Sequence, residues 1–189
     1  YSTVVGVNAD FYNMSNGCPS GALVMGGVEY HGLGDENFFA ILKDGTPIIG
    51  GADEWNAYKD EIEEAVGASM WLVKDGKIAV NTTSDYYNSR ASRTCVGITY
   101  DGQVVLMVLD GRQEPFSAGG SGIEIAQIMF DAGCIAAVNL DGGGSSTFAA
   151  KGEGEENVSI VNRPSDGYER SVSSSLLIVS TAKPSTEFD

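Results

Sequence analysis

The sequence predicts an α+β fold: one domain with a mixed, largely antiparallel sheet, about two main helices, and a site at strand ends and loops. Three observations lead there. Most apolar runs are short, β-branched and separated by Asp-Gly or Gly-Gly turns, the pattern of consecutive hairpins. Only two windows, 53–66 and 122–132, carry the apolar spacing of a helix. A chain of 189 residues with 25 glycines is long enough for one core and rich in turns.

Residues 3–8 read as a strand that runs into the polar loop ADFYNMSNGCPSG. Residues 23–25 and 28–31 form a hairpin around Gly26-Gly27, and 38–42 and 47–49 form another across Lys43-Asp44-Gly45-Thr46. The first helix is expected over 53–66, with Asp53 as N-cap, Trp55, Tyr58, Ile62 and Val66 on one face, and Gly67 as the stop. A hairpin of 70–73 and 78–81 follows, then a polar, aromatic loop over 82–93. Residues 94–100 and 103–109 pair around Asp101-Gly102. A glycine-rich loop leads to the second helix, 122–132, whose apolar residues include Ile123, Ala126, Ile128 and Phe130 and which Gly133 caps. Strands are expected at 135–138, 145–150, 158–161 and 172–180. The domain is drawn as 1–181, with 182–189 as a linker or tail.

Composition narrows the function. Eleven Lys and Arg stand against 26 Asp and Glu, a formal net charge of −15. That balance argues against nucleic acid and anionic membranes as general partners. No apolar run is long enough to span a bilayer, so no membrane insertion is expected in this segment. The chain opens on Tyr1 without a leader-like segment and reads as an excised or processed piece. All five arginines, Arg90, Arg93, Arg112, Arg163 and Arg170, lie in the second half, where they can grip a small anion. Cys18, Cys95 and Cys134 show no zinc spacing and leave room for one disulfide; Cys134 reads as a buried, inert thiol. His31 is the single histidine and lies in a glycine-flanked turn, which disfavours Ser-His-Asp or Cys-His machinery.

The chain is organised around AAVNLDGGGSSTF, residues 136–148. A short buried strand ends in Asn139 and Asp141, and ligands often bind where strands leave a sheet. Gly142, Gly143 and Gly144 allow close approach of a ligand, and their N–H groups with the Ser145 and Ser146 hydroxyls are expected to form an anion nest. The plain alternative is a glycine-rich connection between two strands, just as Asp-Gly at Asp110 and Asp141 is ordinary turn chemistry. Four polar clusters follow or enter strands: Asn8 to Tyr12, Arg93-Thr94, Asp110-Gly111-Arg112, and Asn139 to Ser146; a fifth spans Asn162 to Arg170. Brought together, they offer carboxylates, arginines, amides and hydroxyls, a set suited to a ligand bearing sugar hydroxyls and phosphate. Phosphate-loop, dinucleotide, GxSxG and HExxH signatures are absent from the sequence.

NLDGGGSSTF, the preceding SRTCVGITYDGQVVLMVLDGR and the closing NRPSDGYERSVSSSLLIV resemble the phosphodiester glycosidase family, in order, over about 5–179. At NADFY the family tends to have a small residue before the aromatic pair, so Asp10 is not carried over. The resemblance implies hydrolysis of a sugar–phosphate diester in a secreted or cell-envelope setting, with a phosphorylated carbohydrate as substrate.

The leaving group is then a phosphate monoester, whose second pKa near 6 lets it depart with little protonation. One carboxylate can suffice where ordinary glycosidases use two. Asp141 is expected as base or nucleophile and Asp110 as its partner or a sugar-hydroxyl ligand. Arg93 and Arg170, with Ser145, Ser146 and the nest of Gly142, Gly143 and Gly144, are expected to hold the phosphate. Asn8, Thr94 and Asn139 are expected to orient the sugar. No cofactor is required by this scheme; acidic loops and asparagine oxygens are compatible with calcium, although no EF-hand pattern exists. The alternative to an enzyme is a phospho-glycan binding module of a larger envelope protein.

Overall fold

The computed structural model describes residues 2–80 and 84–182, apart from the side chains of residues 85 and 86. Asn81, the start of the polar loop at 82–83 and the tail from 183 lie outside the described residues. The elements run β1 (Ser2–Asn8), β2 (Leu23–Met25), β3 (Val28–His31), β4 (Asn37–Leu42), β5 (Pro47–Gly50), α1 (Ala52–Tyr58), β6 (Ile62–Ala68), β7 (Trp71–Lys74) and β8 (Lys77–Ile78). After them come α2 (Asp85–Asn88), β9 (Arg93–Thr99), β10 (Val104–Leu109), α3 (Gly122–Asp131), β11 (Cys134–Asn139), β12 (Phe148–Lys151), β13 (Val158–Ile160) and β14 (Ser175–Ser180).

Three antiparallel sheets result, ordered β3-β2-β6-β4-β5, β10-β9-β11-β7-β8 and β13-β12-β1-β14. Alternation along the strands stacks the first two sheets between two helices. On β4, Phe38 and Ala40 face α1 and pack with its Trp55, whose ring meets Phe38 edge-on at 5.2 Å. Phe39 faces the other way, onto Val96, Val138 and Leu140 of the second sheet. The far side of that sheet presents Leu72, Cys95 and Ala137 to Ile125, Ala126 and Met129 of α3. The order is therefore helix, sheet, sheet, helix, an α+β architecture as expected. The third sheet joins this stack through Ala9, which follows β1, and Leu176 of β14.

The helix expected over 53–66 is half helix and half strand. α1 stops at Tyr58, a 3-10 turn covers Lys59–Glu61, and Ile62–Ala68 becomes β6. Trp55, Tyr58, Ile62 and Val66 fit helical spacing, but β6 is the strand that bonds both β2 and β4. Losing it would leave two ladders unpaired, and that tertiary term outweighs local propensity. Gly51, not Asp53, is the N-cap, and its N–H donates to Glu54 at 2.9 Å. Gly67 is no helix stop: a Cβ there would collide with the Asp10 carboxylate. On α3 the buried face is Gly122, Ile125, Ala126 and Met129, while Ile123, Ile128 and Phe130 are largely exposed. The strand expected at 145–150 starts only at Phe148, and that expected at 172–180 only at Ser175. Cys18 is exposed and Cys95 and Cys134 are buried, and all three are free thiols.

Candidate active site

The layers bring the end of β1, the start of β9 and the end of β11 to one place, because β11 pairs antiparallel with β9 and the loop after it reaches β1. Asn8 is the knot. Its amide donates to the Asp141 carbonyl at 2.6 Å, and its Oδ1 accepts from Thr94 Oγ1 at 2.7 Å and from the Thr147 N–H at 3.1 Å. Thr94 Oγ1 also lies 3.3 Å from Ser146 Oγ, whose hydroxyl can donate to it. The Asp141 N–H bonds the Ala9 carbonyl at 2.8 Å, and the Leu140 N–H bonds the Thr94 carbonyl at 2.8 Å. Asn8, Thr94 and Ser146 are buried, and their polar atoms are spent on one another. They fix where Asp141 sits.

Asp141 itself is half-buried. Its Oδ1 accepts the Gly142 N–H at 2.8 Å. Burial pushes its carboxyl above the usual range, opposed by Ser145, the Gly142 N–H and the charge of Arg170. The Ser145 hydroxyl is fully buried beside it with no partner of good hydrogen-bond geometry.

The glycines act otherwise than expected. The Gly142 N–H is taken by Asp141 Oδ1, the Gly143 N–H by the Ser92 carbonyl at 2.8 Å, and the Ser145 and Ser146 N–H groups by the Gly142 and Gly143 carbonyls. An N–H that already donates inside the protein is not available to cradle an anion, and four of the five N–H groups of residues 142–146 are engaged in this way. The glycines serve close approach instead. A Cβ on Gly142 would lie 2.9 Å from the Ser92 carbonyl, and one on Gly144 would collide with Arg170 and Asp166. Gly143 takes φ +62° and leaves the Arg112 guanidinium room 2.9 Å from where its Cβ would be.

Other expected site residues are engaged in the scaffold. Arg93 is buried at 1% exposure, its guanidinium donating to the carbonyls of Gly120 at 3.2 Å and Ser89 at 2.9 Å. It pins the α2–β9 connection to the loop before α3. Asp110 accepts from Asn162 Nδ2 at 2.9 Å and from the Arg163 N–H at 3.0 Å. That carboxylate ties the 162–170 loop to the end of β10. Asn139 is fully buried, donating to Ser69 Oγ at 3.1 Å inside the fold. Arg170 does reach the site: it pairs with Asp166 at 2.6 Å and its charge is felt by Asp141. His31 Nδ1 lies 2.7 Å from the Gly21 carbonyl, in a structural contact.

Two neighbours carried little signal in the sequence. Asp10 is 2% exposed; its Oδ2 accepts the Gly21 N–H at 2.7 Å and its Oδ1 has no partner. Arg112 sits over Gly143 with its own φ at +58°. The DGGGSS turn could not announce either, because both contacts come from the far ends of β1 and β10. A groove of about 190 Å³ runs over the third sheet to this turn, lined there by Asn8, Ser145 and Arg170 and further out by Val158, Val172 and Leu177. Among the described residues no group of three or more His, Cys, Asp or Glu side chains is placed to hold a metal ion.

The phosphodiester glycosidase family model matches residues 1–179. The chain belongs to the phosphodiester glycosidase family. It is 30% identical over 166 residues to bovine N-acetylglucosamine-1-phosphodiester alpha-N-acetylglucosaminidase, covering 78% of this chain and 31% of that one. It is 32% identical over 186 residues to the SPbeta prophage-derived uncharacterized protein YomE of Bacillus subtilis (strain 168), covering 93% of this chain and 28% of that one. The chain thus spans less than a third of the length of either relative. Its fold is similar to the zebrafish N-acetylglucosamine-1-phosphodiester alpha-N-acetylglucosaminidase catalytic domain, auto-inhibited by pro-peptide. That match has a TM-score of 0.80 at 23% identity and covers 93% of this chain and 63% of that one.

Proposed function

We propose that this domain hydrolyses a glycosyl phosphodiester on a cell-envelope or extracellular glycan, releasing free sugar and a phosphomonoester. The observation that carries the reading is Asp141, a half-buried carboxylate held with a raised pKa at the junction of three strand ends, beside Arg170. A carboxyl shifted in that direction is a better proton acceptor at working pH than an ordinary aspartate. An N-acetylglucosamine-1-phosphodiester is the substrate class that the animal relatives' names point to.

In the proposed reaction Asp141 takes a proton from water as the water oxygen bonds the anomeric carbon. The bond from that carbon to the bridging oxygen breaks, and the electron pair leaves with the phosphate. The departing monoester has a second pKa of about 6 and needs no general acid. That fits a site in which the other expected carboxylate, Asp110, is spent on Asn162 and Arg163. Arginine charge balances what accumulates on the leaving phosphate.

The test is sugar release from a panel of glycosyl-1-phosphodiesters, UDP-N-acetylglucosamine among them, by wild type and by Asp141→Asn. Removing a general base costs on the order of 100- to 10,000-fold. The variant should keep its fold by circular dichroism and lose turnover by that order. Turnover within a few-fold of wild type would remove Asp141 from the chemistry. Saturable binding of the panel by a wild type that releases nothing would favour a phospho-glycan binding module.

A further inference from the structure

Four of the five arginines are committed within the fold. Arg90 pairs with Glu124, Arg93 bonds the Ser89 and Gly120 carbonyls, Arg163 lies over the Phe116 ring at 5.1 Å, and Arg170 pairs with Asp166. The Arg112 guanidinium has no hydrogen bond, ion pair or ring contact among the described residues. It is exposed, yet it is not a free surface arm. Its Nη1 stands 2.9 Å, and its Cζ 3.2 Å, from the position of a Cβ on Gly143, so the plane lies over the turn that follows Asp141.

The backbone holds it there at a cost. Arg112 has φ +58°, a region that L residues with long side chains avoid. The loop enforces it: the Gln113 N–H bonds the Ser117 carbonyl at 2.9 Å, Ser117 Oγ bonds the Asp110 carbonyl at 2.6 Å, and Gln113 Nε2 bonds the Arg163 carbonyl at 2.7 Å. Gly111, just before it, is pressed against the backbone of Ala91 and Ser92. Strain kept in place by surrounding bonds is what a positioned functional group shows. An unpaired guanidinium in a chain of net charge −15 also has many acidic partners to choose from and takes none.

We propose that Arg112 binds the phosphate of the substrate, its planar fork donating to the non-bridging oxygens from above the Gly143 turn, a role that rests on the phosphodiester reading. It takes the place that the sequence led us to give Arg93. A guanidinium suits this task because two parallel N–H donors match two phosphate oxygens.

The test uses the intact domain with Arg112→Ala, Arg112→Lys and Arg112→Gly. Inorganic phosphate is titrated by calorimetry, and kcat and KM are measured on the diester and on an aryl N-acetylglucosaminide without phosphate. Arg112→Ala should lower kcat/KM on the diester by about 100-fold and weaken phosphate binding at least about tenfold, with the phosphate-free substrate changed less than about threefold. Lysine should restore part of the loss, as a charge without the fork. Arg112→Gly should raise Tm by relieving the φ and yet lose diester turnover as alanine does; a residue that only shapes the turn would keep it. Diester turnover or phosphate affinity equal to wild type in the alanine variant overturns the assignment. If wild type cleaves no diester, the hydrolase reading fails by itself. The phosphate titration then decides Arg112 alone: loss of affinity in the variant upholds it, and equal or absent binding overturns it.

Discussion

Asp10 is the residue whose environment departs furthest from what its position in a polar loop implies. It is packed against Gly21 and Gly67, and burial raises its pKa from 3.8 to about 6, with Glu36 and Asp141 adding repulsion and the Gly21 and Phe11 amides pulling it back. A folded-state pKa above the unfolded one means that the folded form holds its proton more tightly. The stability this confers is complete below about pH 4 and is lost as pH rises through about 6. A shift of about two units corresponds to about 3 kcal/mol. Asp10→Asn, which keeps an acceptor for the Gly21 N–H, should therefore flatten the fall in stability between about pH 4 and 7 and be the more stable form at neutral pH. Urea midpoints across that range check it, and parallel profiles for the two proteins would refute it. The sequence could not show this, since burial of Asp10 depends on Gly21, just before β2, and Gly67 of β6 closing over it. Asp110 and Asp141 look alike in sequence, each an Asp-Gly after an apolar strand. What separates them is that Asn162 and Arg163 return to one and not to the other.

At the level of elements, hairpins were legible and the α1–β6 boundary was not. Lys43-Asp44-Gly45-Thr46 and Asp101-Gly102 give turns by local chemistry, so β4–β5 and β9–β10 fall where expected. Ile62–Ala68 becomes a strand only because β2 and β4 flank it, information that lies 20 and more residues upstream. Helix α3 shows a subtler version. Its ends fall close to where expected: Ser121, whose N–H and hydroxyl both reach Glu124 at 2.9 Å, caps the start and Gly133 follows the end. Its face was not legible, because a stretch as apolar as GIEIAQIMF offers two stripes. The structure buries Ile125 and Met129 completely and leaves Ile123 45% exposed. Ile125→Ala should cost about 2–5 kcal/mol and Ile123→Ala within about 0.5 kcal/mol, measured by urea unfolding. Equal costs would mean that α3 is rotated on its sheet.

For the whole molecule the governing quantity is charge. Twenty-six acidic side chains against eleven basic ones must be held on one compact surface. Among the described residues the two ion pairs are Arg90–Glu124 and Arg170–Asp166, both substantially exposed. Exposed pairs contribute about 0–1 kcal/mol each, so salt has little attraction to screen and much repulsion. Raising ionic strength from about 10 mM to about 1 M shortens the Debye length from about 30 Å to about 3 Å. The domain should accordingly gain Tm with sodium chloride, most steeply at the low end where long-range repulsion is being removed. Hydrophobic strengthening is separated by comparing chloride with sulfate at equal ionic strength, since only the excess with sulfate is the excluded-salt effect. A Tm that falls in chloride would mean that attractive pairs, not self-repulsion, dominate this surface. The same field bears on the proposed substrate: an anionic diester would approach an acidic protein against its net charge and, on the Arg112 proposal, would be received by arginine at short range, where screening acts least. Salt should therefore raise the association rate of the diester while leaving the local grip on its phosphate comparatively intact.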